Sequence, residues 1–159
     1  MAIRGPEFMF ARDVIRYVLC EYFTGVNWTP SGIFVHQNHD SPFNNTILEV
    51  FNFYLDLFGV SIYEIYEKRF PEKKLSAQQH WEFCKEVIEK SYFSTEAIYS
   101  FLNVCAKLSL IATFSFLCGV LDAPDISHRL ILRYFETLKS LGLISETFWE
   151  EMEEEEEEE

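Results

Sequence analysis

Apolar residues fall into two kinds of pattern along this chain. Leu108–Leu121 (LSLIATFSFLCGVL) carries no charge over fourteen positions. Elsewhere apolar residues recur every three or four positions, with polar ones between. The uncharged run is short of the roughly 20 residues that span a bilayer and has the length of a buried core helix. A helix apolar on every side must be wrapped by others. The amphipathic segments around it supply the wrapping, which predicts an all-α domain built around one central hydrophobic helix.

Read from the N-terminus, Phe10–Phe23 is an amphipathic helix. Val14, Tyr17 and Val18 lie on its stripe, Glu21 interrupts it, and Gly25 stops it. Val26–Phe43 holds Asn27, Pro30, Gly32, Asn38, Asp40 and Pro42 and reads as a loop, long enough to be mobile or functional. Asn44 or Asn45 caps a helix over Thr46–Phe70, in which Gly59 is a candidate kink and Pro71 the terminator. Ser76 caps Ala77–Lys90, with Trp81, Cys84, Val87 and Ile88 on one side. Ser94-Thr95-Glu96 opens a helix to about Asn103, and the central helix follows over roughly Ala106–Leu121. Asp122-Ala123-Pro124 breaks the chain, and the next helix starts at Asp125 or Ser127. Its face is Leu130, Ile131, Tyr134, Phe135 and Leu138, and Gly142 stops it. Ser145–Met152 is a last short helix. The pattern gives seven or eight helices, no convincing strand and no repeat.

Composition adds boundaries. Met1–Phe8 (MAIRGPEF) reads as an appended leader, with Met9 as the natural start. Met9–Met152 is then the helical domain and Glu153–Glu159 an acidic tail expected to be disordered. Those seven glutamates carry more than half of the net charge of −13; without them it is −6, ordinary for a soluble domain. No cluster of Lys and Arg exists to contact phosphates, which argues against nucleic acid as a partner. No signal peptide precedes the first helix, which implies a cytosolic location. The sequons at Asn27 and Asn44 are then chance matches. Cys20, Cys84, Cys105 and Cys118 each sit in an apolar helical pattern with no C-x-x-C pair, and read as reduced, buried thiols.

Catalytic and metal signatures are thin. His36-x-x-His39-Asp40 lies in the loop without a second ligand pair, so no metal site is expected. Ser115 lacks the G-x-S-x-G context of a nucleophile elbow. No glycine-rich phosphate loop occurs, and Glu64/Glu67 and Glu82/Glu86 read as helix-surface carboxylates. These absences argue against an enzyme and against a cofactor. Lys107 opens the apolar run: it either snorkels at a helix entry or sets a cation at the rim of a binding groove.

Several segments resemble the Bcl-2 family of apoptosis regulators. Leu110-Ile-Ala-Thr-Phe-Ser-Phe-Leu-Cys-Gly-Val120 is similar to the central helix of that family's first homology region, I-V-A-F-F-S-F-G-G-A-L. Phe93–Cys105 fits the length that precedes it. Asp125–Trp149 resembles the sixth helix running into the second homology region. Arg12–Phe23 resembles the fourth region, and Phe51-x-x-x-Leu55-Asp56-x-Phe58 the third, L-x-x-x-G-D-x-F. The family's N-W-G-R signature falls on Ala106-Lys107-Leu108-Ser109, where no residue matches, and Leu55 stands where Gly is usual. Lys107, displaced by two positions, is the nearest substitute for the arginine that pairs with an aspartate of the helical ligand. Such departures suit a diverged member, a viral one among the options.

The resemblance implies a Bcl-2-like helical bundle with a hydrophobic groove for amphipathic helices of pro-apoptotic Bcl-2-family proteins. Sequestering them would be anti-apoptotic and would place the protein near mitochondria. Carried across by alignment, Phe58, Ile62, Ile65 and Tyr66 line one wall; Tyr99, Leu102, Ala112 and Phe116 form the floor and opposite wall, and Lys107 the rim. No transmembrane anchor follows Trp149. Three further readings stay open: a helical adaptor for another signalling partner, a pro-apoptotic pore former of the same fold, and a homodimer that buries the groove.

Overall fold

A computed structural model describes residues 5–36, 40–91 and 96–157. Among them every regular element is helical: α1 (Pro6–Tyr17), α2 (Asn45–Arg69), α3 (Ala77–Lys90), α4 (Ala97–Leu117), α5 (Ala123–Ser140) and α6 (Phe148–Glu157). Helix α4 is the axis, in contact with α1, α2, α3 and α5, while α6 packs against α2.

The expected pair of helices before and within the apolar run is one helix. No Gly or Pro separates Asn103 from Ala106, and α4 runs unbroken from Ala97 to Leu117. Ser94 and Thr95, the expected start, lie outside the described residues. Fifteen of the 21 residues of α4 are buried, and five of the other six, Tyr99, Asn103, Lys107, Phe114 and Leu117, share one arc of about 80°. It stops four residues before the expected Leu121. The Gly119 amide donates to the Phe116 carbonyl (3.0 Å) and the Val120 amide to the Ser115 carbonyl (2.9 Å). This closing motif needs a left-handed residue, and Gly119 supplies it at φ +96°. Gly142 (φ +75°) ends α5 in the same way, with the Leu143 amide on the Leu138 carbonyl.

The other boundaries have local causes. Pro6 suits the first turn of α1, which begins four residues earlier than expected and includes Pro6–Phe8 of the presumed leader. The His128 ring nitrogen bonds the Phe8 carbonyl at 3.1 Å, tying this turn to α5. Past Tyr17 the helix widens into a π turn over Val18–Tyr22. Cys20 falls off the buried arc and is exposed, a correction to the expectation of four buried thiols; Cys84 and Cys105 are buried and Cys118 is half-buried.

The 26–43 segment is not a free loop where described. Phe34 is buried against Trp28 and His128, and Arg16 donates to the Phe34 and Val35 carbonyls. Asn44 caps α2 by accepting from the Ile47 amide (3.1 Å), and α2 continues through Gly59. A reciprocal Ser76–Gln79 capping box starts α3. Helix α5 begins at Ala123, before both expected caps, because Pro124 fits a first turn. Helix α6 continues into the expected disordered tail as far as Glu157, and Glu158 and Glu159 lie outside the described residues. Phe148 and Met152 anchor the first turns of α6 in the core, and Glu propagates a helix already nucleated.

Phe101 holds the bundle end together. Its ring meets Phe10, Phe135, Phe148 and Trp149 at centroid distances of 5.3–5.9 Å. Phe101→Ala should lower the unfolding free energy by about 4 kcal/mol. Leu117→Ala, at a side chain 61% exposed, should change it by less than about 1 kcal/mol. Urea unfolding of both variants checks the contrast.

Candidate functional site

Helices α2, α3 and α4 leave a cleft of about 400 Å³ between them. Its apolar lining is Ile62 and Ile65 from α2 and Phe83 and Val87 from α3. The rim carries Lys68, Arg69, Lys90 and Lys107 against one carboxylate, Glu86. In a chain of net charge −13 this is a local reversal of sign. Arg69 and Glu86 neutralise each other through two hydrogen bonds of 2.6 and 2.9 Å. Those bonds to Arg69 hold the Glu86 carboxyl below its ordinary range. Lys68, Lys90 and Lys107 form no salt bridge among the described residues.

Lys107 is the most constrained of these cations. Its ammonium lies 4.7 Å from the centre of the Phe58 ring and donates to Ser91 Oγ at 3.3 Å. Ser91 in turn donates to the Val87 carbonyl at 2.6 Å, which links the lysine to the α3 wall. Burial pulls the Lys107 pKa down. A half-buried cation resting on a ring face and a neutral hydroxyl gains from an arriving carboxylate.

The residues expected to form the groove divide accordingly. Ile62, Ile65 and Lys107 meet at the cleft, with the Phe58 ring beneath the lysine. Tyr66 lies behind it, buried, with its ring 5.5 Å from Phe83. Tyr99, Leu102, Ala112 and Phe116 do not line the cleft. Helix geometry explains most of this. Leu102 and Ala112 sit about 140° around α4 from Lys107, and Phe116 about 180°. Leu102 and Ala112 are fully buried, while Tyr99 and Phe116 are partly buried. Helix 77–90 is expected from the resemblance to form part of the groove, but its wall residues Phe83 and Val87, at an i, i+4 spacing with Lys90 one turn later, are not among the expected groove residues.

A second cluster has reactive residue types but no access. His80 Nδ1 lies 2.7 Å from Ser115 Oγ, and its Nε2 lies 3.1 Å from Ser127 Oγ and 3.6 Å from Cys84 Sγ. Tyr66 Oη joins Ser115 Oγ at 3.0 Å. The imidazole is completely buried, and that burial lowers its pKa to about 4. Burial pushes the Cys84 thiol up to about 12, so it stays protonated. The cluster is a polar tie among α2, α3, α4 and α5. Among the described residues no group of three or more His, Cys, Asp or Glu is placed to hold a metal; His36 is exposed and His39 lies outside the described residues.

Two helices, α2 and α4, are long and apolar enough to cross a membrane by length and composition; 78% of the α4 window is buried in the bundle, against 22% of the α2 window. No family model, curated protein or solved structure matches the chain.

The His80 tie fixes a pH dependence. Unfolded imidazole takes a proton near pH 6.5, whereas His80 in the fold stays neutral down to about pH 4. Between those values the unfolded chain binds the extra proton, so stability falls as the pH falls. The loss expected by pH 4 is about 3 kcal/mol. Urea unfolding from pH 7 to pH 4 should show it, and His80→Gln should remove that part of the slope while lowering stability at pH 7.

Proposed function

We propose that the protein is a helix-binding module whose cleft between α2, α3 and α4 receives an amphipathic helix carrying a carboxylate. The observation that carries this is the pairing of an apolar lining, Ile62, Ile65, Phe83 and Val87, with the cation of Lys107, which has no carboxylate partner among the described residues. An incoming helix would set its apolar anchors against that lining and an Asp or Glu against Lys107. The resemblance to the Bcl-2 family makes the proposal specific: the ligands are death-promoting helices of pro-apoptotic proteins, and holding them inhibits cell death. The all-helical bundle around a hydrophobic α4 is consistent with that family's architecture, and Lys107 takes the place of the missing arginine in charge if not in position.

Titration with a panel of labelled pro-apoptotic helical peptides tests the reading. At least one should bind with sub-micromolar affinity. Lys107→Ala should weaken it about tenfold, equivalent to about 1.4 kcal/mol. Ile65→Ser, at a position 52% exposed, should weaken it comparably without loss of helicity. Binding that neither substitution alters removes the cleft assignment, and a panel with no binder removes the apoptotic one.

A further inference from the structure

The outward face of α2 carries apolar side chains that the bundle does not use. Phe53, Leu57 and Val60 are 63%, 57% and 69% exposed. Spacings of four and three place them within an arc of about 60° along roughly 10 Å of helix. The same helix is anchored inward by Ile47, Phe51, Leu55, Ile62 and Tyr66. Lone exposed apolar residues are ordinary, but three on successive turns of one helix make a surface suited to a partner.

Charge decides which partner. Glu49, Asp56 and Glu67 stand along one border of the stripe, and Glu64 continues its line by a turn; all four are exposed. Asp56 accepts a hydrogen bond from Tyr22 Oη (2.6 Å). None of the four has a salt bridge among the described residues. The opposite border holds Val50, Ser61 and Lys68. We infer that this face docks an amphipathic helix of another protein, with apolar residues at i, i+3/i+4 and i+7 and Lys or Arg along the edge that meets Glu49, Asp56 and Glu67. A second copy would bring the same carboxylates to the contact, and each copy carries −13. A bilayer would have to desolvate those carboxylates. The surface adjoins the cationic cleft at Lys68 but shares no apolar residue with it, so two sides of α2 select ligands of opposite charge.

A labelled 20-residue Leu/Lys amphipathic peptide is the probe, and its Leu/Glu counterpart the control. The native protein should bind the Leu/Lys peptide and not the Leu/Glu peptide at this face. The double variant Leu57→Ser/Val60→Ser should weaken that binding at least tenfold with its helical circular dichroism intact. Glu64→Lys/Glu67→Lys should weaken it similarly, and Lys107→Ala should leave it unchanged, which separates this face from the cleft. Equal affinity in the Leu57/Val60 double variant overturns the inference. So does a dimer in sedimentation velocity that the double variant abolishes, which assigns the face to a second copy. So does co-flotation with phosphatidylcholine vesicles that the same variant abolishes, which assigns it to lipid.

Discussion

Everything in this bundle follows from the need to keep α4 out of water. Its buried side chains cover most of the circumference, leaving Tyr99, Asn103, Lys107, Phe114 and Leu117 within an arc of about 80°, so no single neighbour can cover it. Each fully buried Leu or Phe contributes roughly 2 kcal/mol on leaving water, a gain available only if several helices close around it. Helices α1, α2, α3 and α5 each offer one apolar stripe and meet α4 with it. The polar positions on α4 are settled locally. Thr113 Oγ1 donates back to the Ser109 carbonyl at 3.1 Å, and Ser115 Oγ joins His80 and Tyr66. Ser109 Oγ is buried without a partner among the described residues, a cost the surrounding apolar contacts absorb.

The same constraint shapes the candidate site. Once α2 has turned Phe51, Leu55 and Ile62 toward the core, its remaining faces are free to differ in charge. Lys68 and Arg69 fall in the last turn of α2, and Lys90 in the last turn of α3. Cations at helix C-termini are favourable against the negative end of the helix dipole. The cleft rim is therefore cationic partly for reasons of helix stability. Lys107 is different: it is in the interior of α4, beside Phe58, and no helix end accounts for it.

Much of the fold was legible because buried helices write their period plainly. The stripes of α1 and α5, the Asn44 and Ser76 caps and the Gly142 stop are local chemistry, whereas the Gly119 stop lay hidden inside an apolar run read as helix to Leu121. What was hidden depended on partners. The continuity of α4 through Asn103–Ala106 could not be told from a break when both flanking segments were apolar. The helical glutamates of α6 depend on Phe148 and Met152 being anchored by a core that sequence does not display. Ile62, Ile65 and Lys107, expected in one groove, line one cleft. Leu102, Ala112 and Phe116 were carried over by alignment, although a helical wheel puts them far from Lys107. Val87 reads only as part of the apolar side of α3 and Phe83 not at all, because nothing in their spacing says which side of α3 meets α2.

Helix α3 supplies that wall with little of its own surface in the core. Its buried residues are His80, Phe83 and Cys84 alone. Two of these three belong to the polar cluster, in which one imidazole binds hydroxyls on α4 and α5 at once. Apolar packing tolerates sliding and rotation, whereas hydrogen bonds of 2.7 and 3.1 Å in a dry interior allow one register. The position of Phe83 and Val87 relative to Ile62 and Ile65 is thus set by His80 and its two serines. A residue sealed away from any ligand fixes the walls of the cleft that Lys107 borders, and the neutrality that burial imposes on it suits that geometry.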